Sequence, residues 1–365
     1  MNSKAITSIQ SLILTAVVIV AAVGGCAAYV LLNEPHDSSE IIKIGVLADL
    51  GTTDGDNAWQ GVIFAAEQIN AEGGILGKKV EVFGEDHDIL SGADMLKVSS
   101  ALTRLITYDK VDFIIGGVSG EAAFVCQDIA SEHEKIFLAY AGTSDALTQR
   151  VLDDYDKYKY YFKVGANASS ISQGIADSRL LLKESTGFNK VGYIAEDLTI
   201  NNGIIAGMEA FFSEANGFDL VYTGRFPLGT VDFSSYFAAA EDAGVEILIP
   251  IMAGEEAIPF IKEWYDRQSP MVIWGNINYA QESGFWEWTD GKCEHISFLT
   301  NGFVGNYPMT NYTLSFREAY IQRWGETPRS HAGYAIDAIY FILRGAIERA
   351  GTTKVAAVIL SLIHI

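Results

Sequence analysis

The sequence is poor in the residues that build covalent or metal-held scaffolds. It has three cysteines, Cys26, Cys126 and Cys293, and six histidines in 365 residues. Three scattered cysteines make neither a disulfide framework nor a metal cluster, and the histidines have no HExxH or similar ligand spacing. Cys126 falls on an apolar helix face and reads as core; the sequence leaves open whether it bridges to Cys293. Basic charge is also scarce: 25 Lys and Arg stand against 46 Asp and Glu, a net charge of −21. That excludes the basic footprint nucleic acid requires and argues against docking on an anionic membrane surface. No GxSxG, Walker loop or dinucleotide GxGxxG occurs, so no catalytic or nucleotide-binding signature stands out. No cofactor or metal is expected, and the protein is not expected to be an enzyme. Low-complexity tracts are absent too; with 49% hydrophobic residues the chain is long enough for two domains with real cores.

One hydrophobic run stands apart, at residues 12–32, without a single charge. It is long enough to span a bilayer. Lys4 before it and the acidic body after it place the N-terminus inside and the body outside. Val23-Gly24-Gly25-Cys26 resembles a lipobox, in which Cys26 would be lipidated after cleavage. The apolar run continues past Cys26, which fits a retained anchor or a pilin-like signal equally well. Residues 1–40 are therefore a signal or membrane anchor with its linker, separate from the folded body.

The body is organised around residues 111–148. A short apolar run at 111–115 ends in Gly116-Gly117, a helical pattern covers 121–133, and a second apolar run at 136–140 stops in Ala141-Gly142-Thr143-Ser144. Strand, turn, helix, strand is the unit of a parallel sheet. In such a sheet both turns fall at the carboxyl edge, where ligands bind and where helix N-termini favour an anion. The same βα alternation runs from residue 41 to 110, with a capping box at Ser91-Gly92-Ala93-Asp94, and restarts after Val164. Phe162-Lys163-Val164-Gly165 reads as a connecting strand between two lobes of one kind.

Several local motifs resemble one family in chain order. They are Ile44-Gly45-Val46; Ile69-Asn70-Ala71-Glu72-Gly73-Gly74-Ile75-Leu76-Gly77; Ile115-Gly116-Gly117 with Ser119; and Ala141-Gly142-Thr143 followed by Leu147-Thr148. Gly187-Phe188, Phe316-Arg317-Glu318-Ala319-Tyr320 with Pro328, and Tyr334-Ala335-Ile336-Asp337-Ala338 come later. Together they resemble type I periplasmic-type solute-binding proteins of the leucine/isoleucine/valine-binding group, which feed ABC importers. The resemblance implies an α/β fold of two Rossmann-like lobes joined by a hinge, preceded here by the N-terminal membrane segment. Lobe 1 would cover residues 41–165, lobe 2 residues 166–295, and residues 296–359 would return to lobe 1. The family's chain continues beyond a helix like that at 332–350, so residues 360–365 are expected to be a non-native tail on a shortened chain.

The resemblance also implies a ligand held in the interlobe cleft. Ser119 and Gly120 in the first turn, with Ala141 and Thr143 in the second, would hold its carboxylate and amino group. Trp59 would pack on it. On lobe 2 the family often carries a tyrosine near Asn201 and an acidic residue near Asn276; this chain has neither. Asp197 or Glu255 would have to substitute, and the ligand class widens to amino acids, amides and short carboxylates. The expected function is the extracytoplasmic binding component of an ABC importer, with a small molecule and a membrane permease as partners and the N-terminal segment as membrane anchor. A ligand-sensing ectodomain and a two-lobed α/β enzyme are the alternatives.

Overall fold

The structure, a computed structural model, describes residues 41–87, 95–117, 120–198, 201–282, 284–300 and 309–364. The expected membrane segment at 12–32, Cys26, the capping box at 91–94 and Ser119 lie outside them. Among the described residues no helix is long and apolar enough to cross a membrane.

Among the described residues, ten strands form two separate, wholly parallel sheets. The first contains β1 (Ile41–Ala48), β2 (Lys79–Asp86), β3 (Phe113–Gly116), β4 (Ile136–Ala139) and β5 (Tyr161–Lys163), in the spatial order β2-β1-β3-β4-β5. The second contains β6 (Lys190–Glu196), β7 (Asp219–Phe226), β8 (Ile247–Met252), β9 (Val272–Ile277) and β10 (Ser297–Phe298), in the order β10-β9-β8-β6-β7. Counted from each sheet's own first strand, the two orders are the same. The α/β alternation read from the sequence thus yields one topology twice.

The strands are continuous apolar runs because both faces are covered by helices. In β3, Phe113 and Ile115 point to one core while Ile114 points to the other, the two-residue period of a strand. The first of these cores meets helices Thr53–Ala71, Ser330–Ile336, Arg344–Ala350 and Val355–Leu362; the second meets Met95–Thr107 and Gly120–Glu132. Sheet 2 is sandwiched in the same way. Each fully buried aliphatic side chain contributes about 1.5–3 kcal/mol. The glycine-rich motif after the first helix is tied down by Asn70, whose side chain donates to the Val80 carbonyl and accepts from the Val80 N–H, each at 2.8 Å.

Three details differ from the sequence reading. Tyr161–Lys163 is the edge strand of sheet 1, paired with β4 from Phe137↔Tyr161 onward, rather than a free connector. Helix Ala146–Asp153 has only Leu147 buried, so its apolar period is too weak to read. Ser297–Phe298 pair with β9, so lobe 2 reaches past residue 295. At the other end, Val358, Ile359 and Leu362 pack into the first lobe's core, so residues 360–362 belong to a docked helix. Cys126 is buried in lobe 1, and Cys293 packs in lobe 2; both are free thiols, and burial pushes that of Cys126 up to about 12.

The chain crosses between lobes after β5. Gly165 sits against the Tyr140 backbone: a Cβ there would stand 2.2 Å from the Tyr140 carbonyl oxygen. Asn167 then caps helix Ala168–Thr186 with a reciprocal capping box. The Ala168 N–H donates to the Thr143 carbonyl at 2.7 Å, and the Ser169 N–H donates to Asp145 at 3.1 Å. The turn after β4 is thereby fastened to the first helix of lobe 2. The return passes through residues outside the described set, into helix Asn311–Trp324.

Candidate functional site

Both sheets turn their carboxyl edges to one cavity of about 430 Å³. Lobe 1 contributes the turn after β4, Tyr140 to Thr143, with Asp54 from the first turn of helix Thr53–Ala71 and Ser330, His331 and Tyr334 from the helix opening at Ser330. Lobe 2 contributes Glu196 at the end of β6, Leu198, Asn201, Ile204, Ile251 to Ala253 after β8, and Asn276 and Asn278 from β9 and its exit. Gly142 adopts a φ of 77°, which lets the turn after β4 bend toward the cavity without a Cβ penalty.

Two hydroxyls on this edge are buried without a partner: Tyr140 Oη and Thr143 Oγ1. A buried polar group left unpaired costs about 1–3 kcal/mol. Burial, with Asp54 adding to it, holds the Tyr140 phenol far above its ordinary range, so it remains a donor at neutral pH. Beside it, His331 Nδ1 lies 3.3 Å from Asp54 Oδ1, and its ring meets Tyr140 edge-on at 6.0 Å. Burial opposes charge on both partners, yet their mutual attraction wins. The His331 pKa is raised and the Asp54 pKa lowered, so each partner favours the charged form of the other. Lys163 donates to the Ala141 carbonyl at 2.7 Å, and burial lowers its pKa to about 8.

On lobe 2, Glu196 is 2% exposed. Its Oε1 accepts from the N–H groups of Ala253 at 2.8 Å and Gly254 at 3.0 Å. Burial and the nearby Glu256 raise its pKa, partly offset by those two donors. Asn201 Nδ2 donates to the Glu196 carbonyl at 2.9 Å and so fixes the exit of β6. Asn276, Asn278 and aliphatic side chains complete this wall. A buried ion pair joins the lobes beside the cavity: Arg329, next to the helix opening at Ser330, meets Glu282, which follows β9. Among the described residues, no group of three or more His, Cys, Asp or Glu side chains is gathered as a metal site.

Residues 41–363 match the model of the family described as periplasmic binding protein. The chain belongs to the periplasmic binding protein family. Among its curated relatives within that family is Leu/Ile/Val-binding protein homolog 7 of Brucella abortus, 25% identical over 287 residues, which cover 77% of this chain and 69% of that one. The relative carries the same group name that the sequence motifs pointed to. Solved structures share the periplasmic binding protein fold. The Streptococcus pneumoniae branched-chain amino acid transporter substrate-binding protein LivJ, in complex with isoleucine, superposes with a TM-score of 0.74 at 20% identity, over 88% of this chain and 87% of that one. A solute-binding protein from R. palustris in complex with benzoate gives 0.70 at 17% identity, over 88% and 85%.

Within this periplasmic binding protein, four of the eight residues expected at the ligand line this cavity: Ala141, Thr143, Asn201 and Asn276. Two others, Trp59 and Asp197, stand elsewhere. Trp59 lays its ring on Gly84 of β2, so close that a Cβ there would lie 2.5 Å from it. Gly120 opens the helix after β3. Asp197 pairs with Arg225 at 3.2 Å and is largely exposed. Ser119 lies outside the described residues, and Glu255 accepts from Tyr279 Oη at 3.3 Å. Sequence reasoning passed over Tyr140, Glu196, Asp54 and His331. Glu196 ends β6 and Tyr140 directly follows β4 on the carboxyl edge, a positional signal that was available. The Asp54–His331 pair joins distant parts of the chain and leaves no local trace.

Proposed function

We propose that the protein is the extracytoplasmic solute-binding component of an ABC importer, and that it captures a small polar carboxylate, such as an amino acid, in the cavity between its lobes. The observation that carries this is the pair of unpartnered buried hydroxyls, Tyr140 and Thr143, at the edge of the cavity. A ligand carboxylate accepting from both would relieve an otherwise unexplained desolvation penalty. The isoleucine and benzoate complexes of neighbours with the same fold support a carboxylate at such a cleft. On this reading Ala141, Thr143, Asn201 and Asn276 form the site, while Trp59 and Asp197 support the fold around it. A membrane permease receives the solute, and residues 12–32 hold the protein at the membrane.

The test is titration calorimetry over amino acids, amides and small acids, preceded by a melting screen. A ligand at 100 times its Kd adds about 2.7 kcal/mol of stability. Thr143→Ala removes a donor worth about 1.5–3 kcal/mol to a charged group, so affinity should fall roughly 10- to 150-fold. Tyr140→Phe should weaken binding similarly, yet leave the ligand-free protein as stable or more stable, because it deletes an unpaired buried hydroxyl. Unchanged affinity in both variants would move the ligand out of this cavity.

A further inference from the structure

The turn after β4 rests on a buried cation that has no anion of its own. Lys163 is the last residue of β5, and its register partner on β4 is Ala139. Parallel strands run to the same edge, and strand side chains lean along the strand direction. Lys163 reaches forward to the carbonyl of Ala141, two residues past its partner, and donates to it at 2.7 Å. Among the described residues that is its single hydrogen bond, and burial, with no carboxylate to oppose it, lowers its pKa to about 8. The ionisable groups on the elements packed around β5 are committed elsewhere. On helix Gly120–Glu132, Asp128 is bound by Arg150 of helix Ala146–Asp153 and by Tyr158, and Cys126 is a buried neutral thiol. Asp145 accepts from the Ser169 N–H. On the helix opening at Ser330, His331 is paired with Asp54 and feels Lys163 as a like charge. Tyr140 and Tyr161 are phenols that burial keeps neutral. The Ala141 carbonyl shares its peptide unit with the Gly142 N–H. In a trans peptide the two point in opposite directions, so a carbonyl drawn to Lys163 turns the N–H away from it. Gly142 and Thr143 line the cavity, and among the described residues neither N–H donates a hydrogen bond. A cation on the carbonyl end of such a unit strengthens the donor at its other end.

We propose that Lys163 is a positioning residue for solute capture: its ammonium, acting through the Ala141–Gly142 peptide, makes the turn after β4 a receptor for an anionic group, so the protein holds the carboxylate form of a solute in preference to its neutral amide. This rests on the solute-capture reading above and adds to it the source of positive potential in a cavity lined, among the described residues, by no Lys or Arg. One consequence is that capture weakens in alkaline solution, as the ammonium gives up its proton.

The experiment is titration calorimetry on the full chain, from about pH 7 to about pH 10, with two matched pairs of probes: isoleucine against isoleucinamide, and benzoate against benzamide. If neither pair binds, the acid and amide of the best solute from the melting screen take their place. Near pH 7 the acid should bind at least about 10-fold more tightly than its amide. Lys163→Met keeps the buried stem and removes the charge. It should weaken the acid roughly 10-fold and leave the amide within about threefold. Wild type and Lys163→Met share the titration of the probe and of His331, so their ratio isolates Lys163. Binding that is about tenfold tighter raises the lysine pKa by about one unit in the complex, so the wild type's advantage should fade as pH rises from about 8 to 10. Lys163→Arg carries a charge that does not titrate, and its affinity for the acid should stay above that of Lys163→Met over the same range. Melting of the ligand-free variants reports folding; if Lys163→Met does not fold, the ratio of wild type to Lys163→Arg decides by the same fading. An acid bound no more tightly than its amide, equal weakening of acid and amide in a folded Lys163→Met, or a ratio that stays flat from pH 7 to 10 overturns the assignment and leaves solute capture standing. No binding by any acid or amide of the screen overturns both.

Discussion

Lobe 1 meets the cavity with hydroxyls and an ion pair; lobe 2 meets it with aliphatic side chains, three asparagines (Asn201, Asn276 and Asn278) and a single carboxylate, Glu196. The two walls come from sheets of the same strand order, so topology alone does not make them different. What differs is how each carboxyl edge is fastened. The turn after β4 is held from below by Lys163 on the Ala141 carbonyl and from the side by the Ala168 N–H on the Thr143 carbonyl. Its polar groups are therefore fixed before any ligand arrives, the condition under which hydrogen bonds give affinity at low ordering cost. The opposite wall places Leu198, Ile204, Ile251 and Met252 around Glu196. Apolar walls discriminate by shape, and only modestly, about 1–3 kcal/mol per methylene. On the proposed reading, lobe 1 grips what all ligands share and lobe 2 sorts among them.

The largest expected effect comes from separating the walls. Gly165→Ala would put a Cβ 2.2 Å from the Tyr140 carbonyl oxygen and 3.1 Å from its carbon, both backbone atoms that cannot swing aside. The crossover would have to shift, with a loss of about 3 kcal/mol and a lowered melting temperature. Gly174→Ala, in the adjoining helix and lining the same cavity, is the control. Its nearest neighbour would be Leu299 Cδ1 at 3.9 Å, an ordinary contact, so the helix should gain about 0.5–1 kcal/mol. Equal melting of the two variants would show that the walls are not positioned through Gly165.

Next comes the ion pair that ties one wall to the other. Glu282 is 7% exposed and Arg329 21%, and burial keeps the Glu282 pKa above its ordinary value despite the arginine. Desolvation of the carboxylate thus outweighs its attraction to the guanidinium, as is common for buried ion pairs. Glu282→Gln, Arg329→Met and the double variant form a thermodynamic cycle with an expected coupling of about 1–3 kcal/mol in ligand affinity. A coupling near zero would mean that the pair does not help to hold the walls together.

How much of this contrast was legible beforehand follows from the same physics. Uninterrupted apolar runs such as Phe113–Gly116 announced buried parallel strands, and their glycine-bounded ends located the carboxyl edges. Thr143 and Ala141 followed from that edge. Tyr161–Lys163 did not declare itself as a sheet strand, because three residues give no period to count. Asp197 looked like the free acid of lobe 2, and Arg225 on β7 shows why it is not: sequence records a carboxylate but not the guanidinium folded against it. Glu196, one residue earlier, was read as part of a turn, although it is the last residue of β6 and turns inward.

The smallest expected effect concerns the pair that keeps lobe 1's wall polar. His331 has a raised pKa in the folded protein, so its contribution to stability is fully present below about pH 6.5 and is lost as pH rises through the raised value. Asp54 has a lowered pKa, so its contribution is present above about pH 3.9 and is lost only as pH falls through that lowered value. The pair is therefore intact in mildly acidic solution and weakens above neutrality. The Asp54 side chain is 53% exposed, so solvent screens the attraction and the slope should amount to about 1 kcal/mol or less. Lys163, lowered to about 8, contributes a slope of opposite sign at higher pH, because there the unfolded chain binds the extra proton. Comparing wild type with His331→Gln at each pH subtracts that background. Between pH 6 and 7.5 the wild type's advantage over the variant should shrink steadily, because the unfolded chain's imidazole gives up its proton before the folded one does. An advantage that stays constant or grows over this range would mean that His331 is neutral in the fold, and lobe 1's wall would then owe its polarity to the hydroxyls alone.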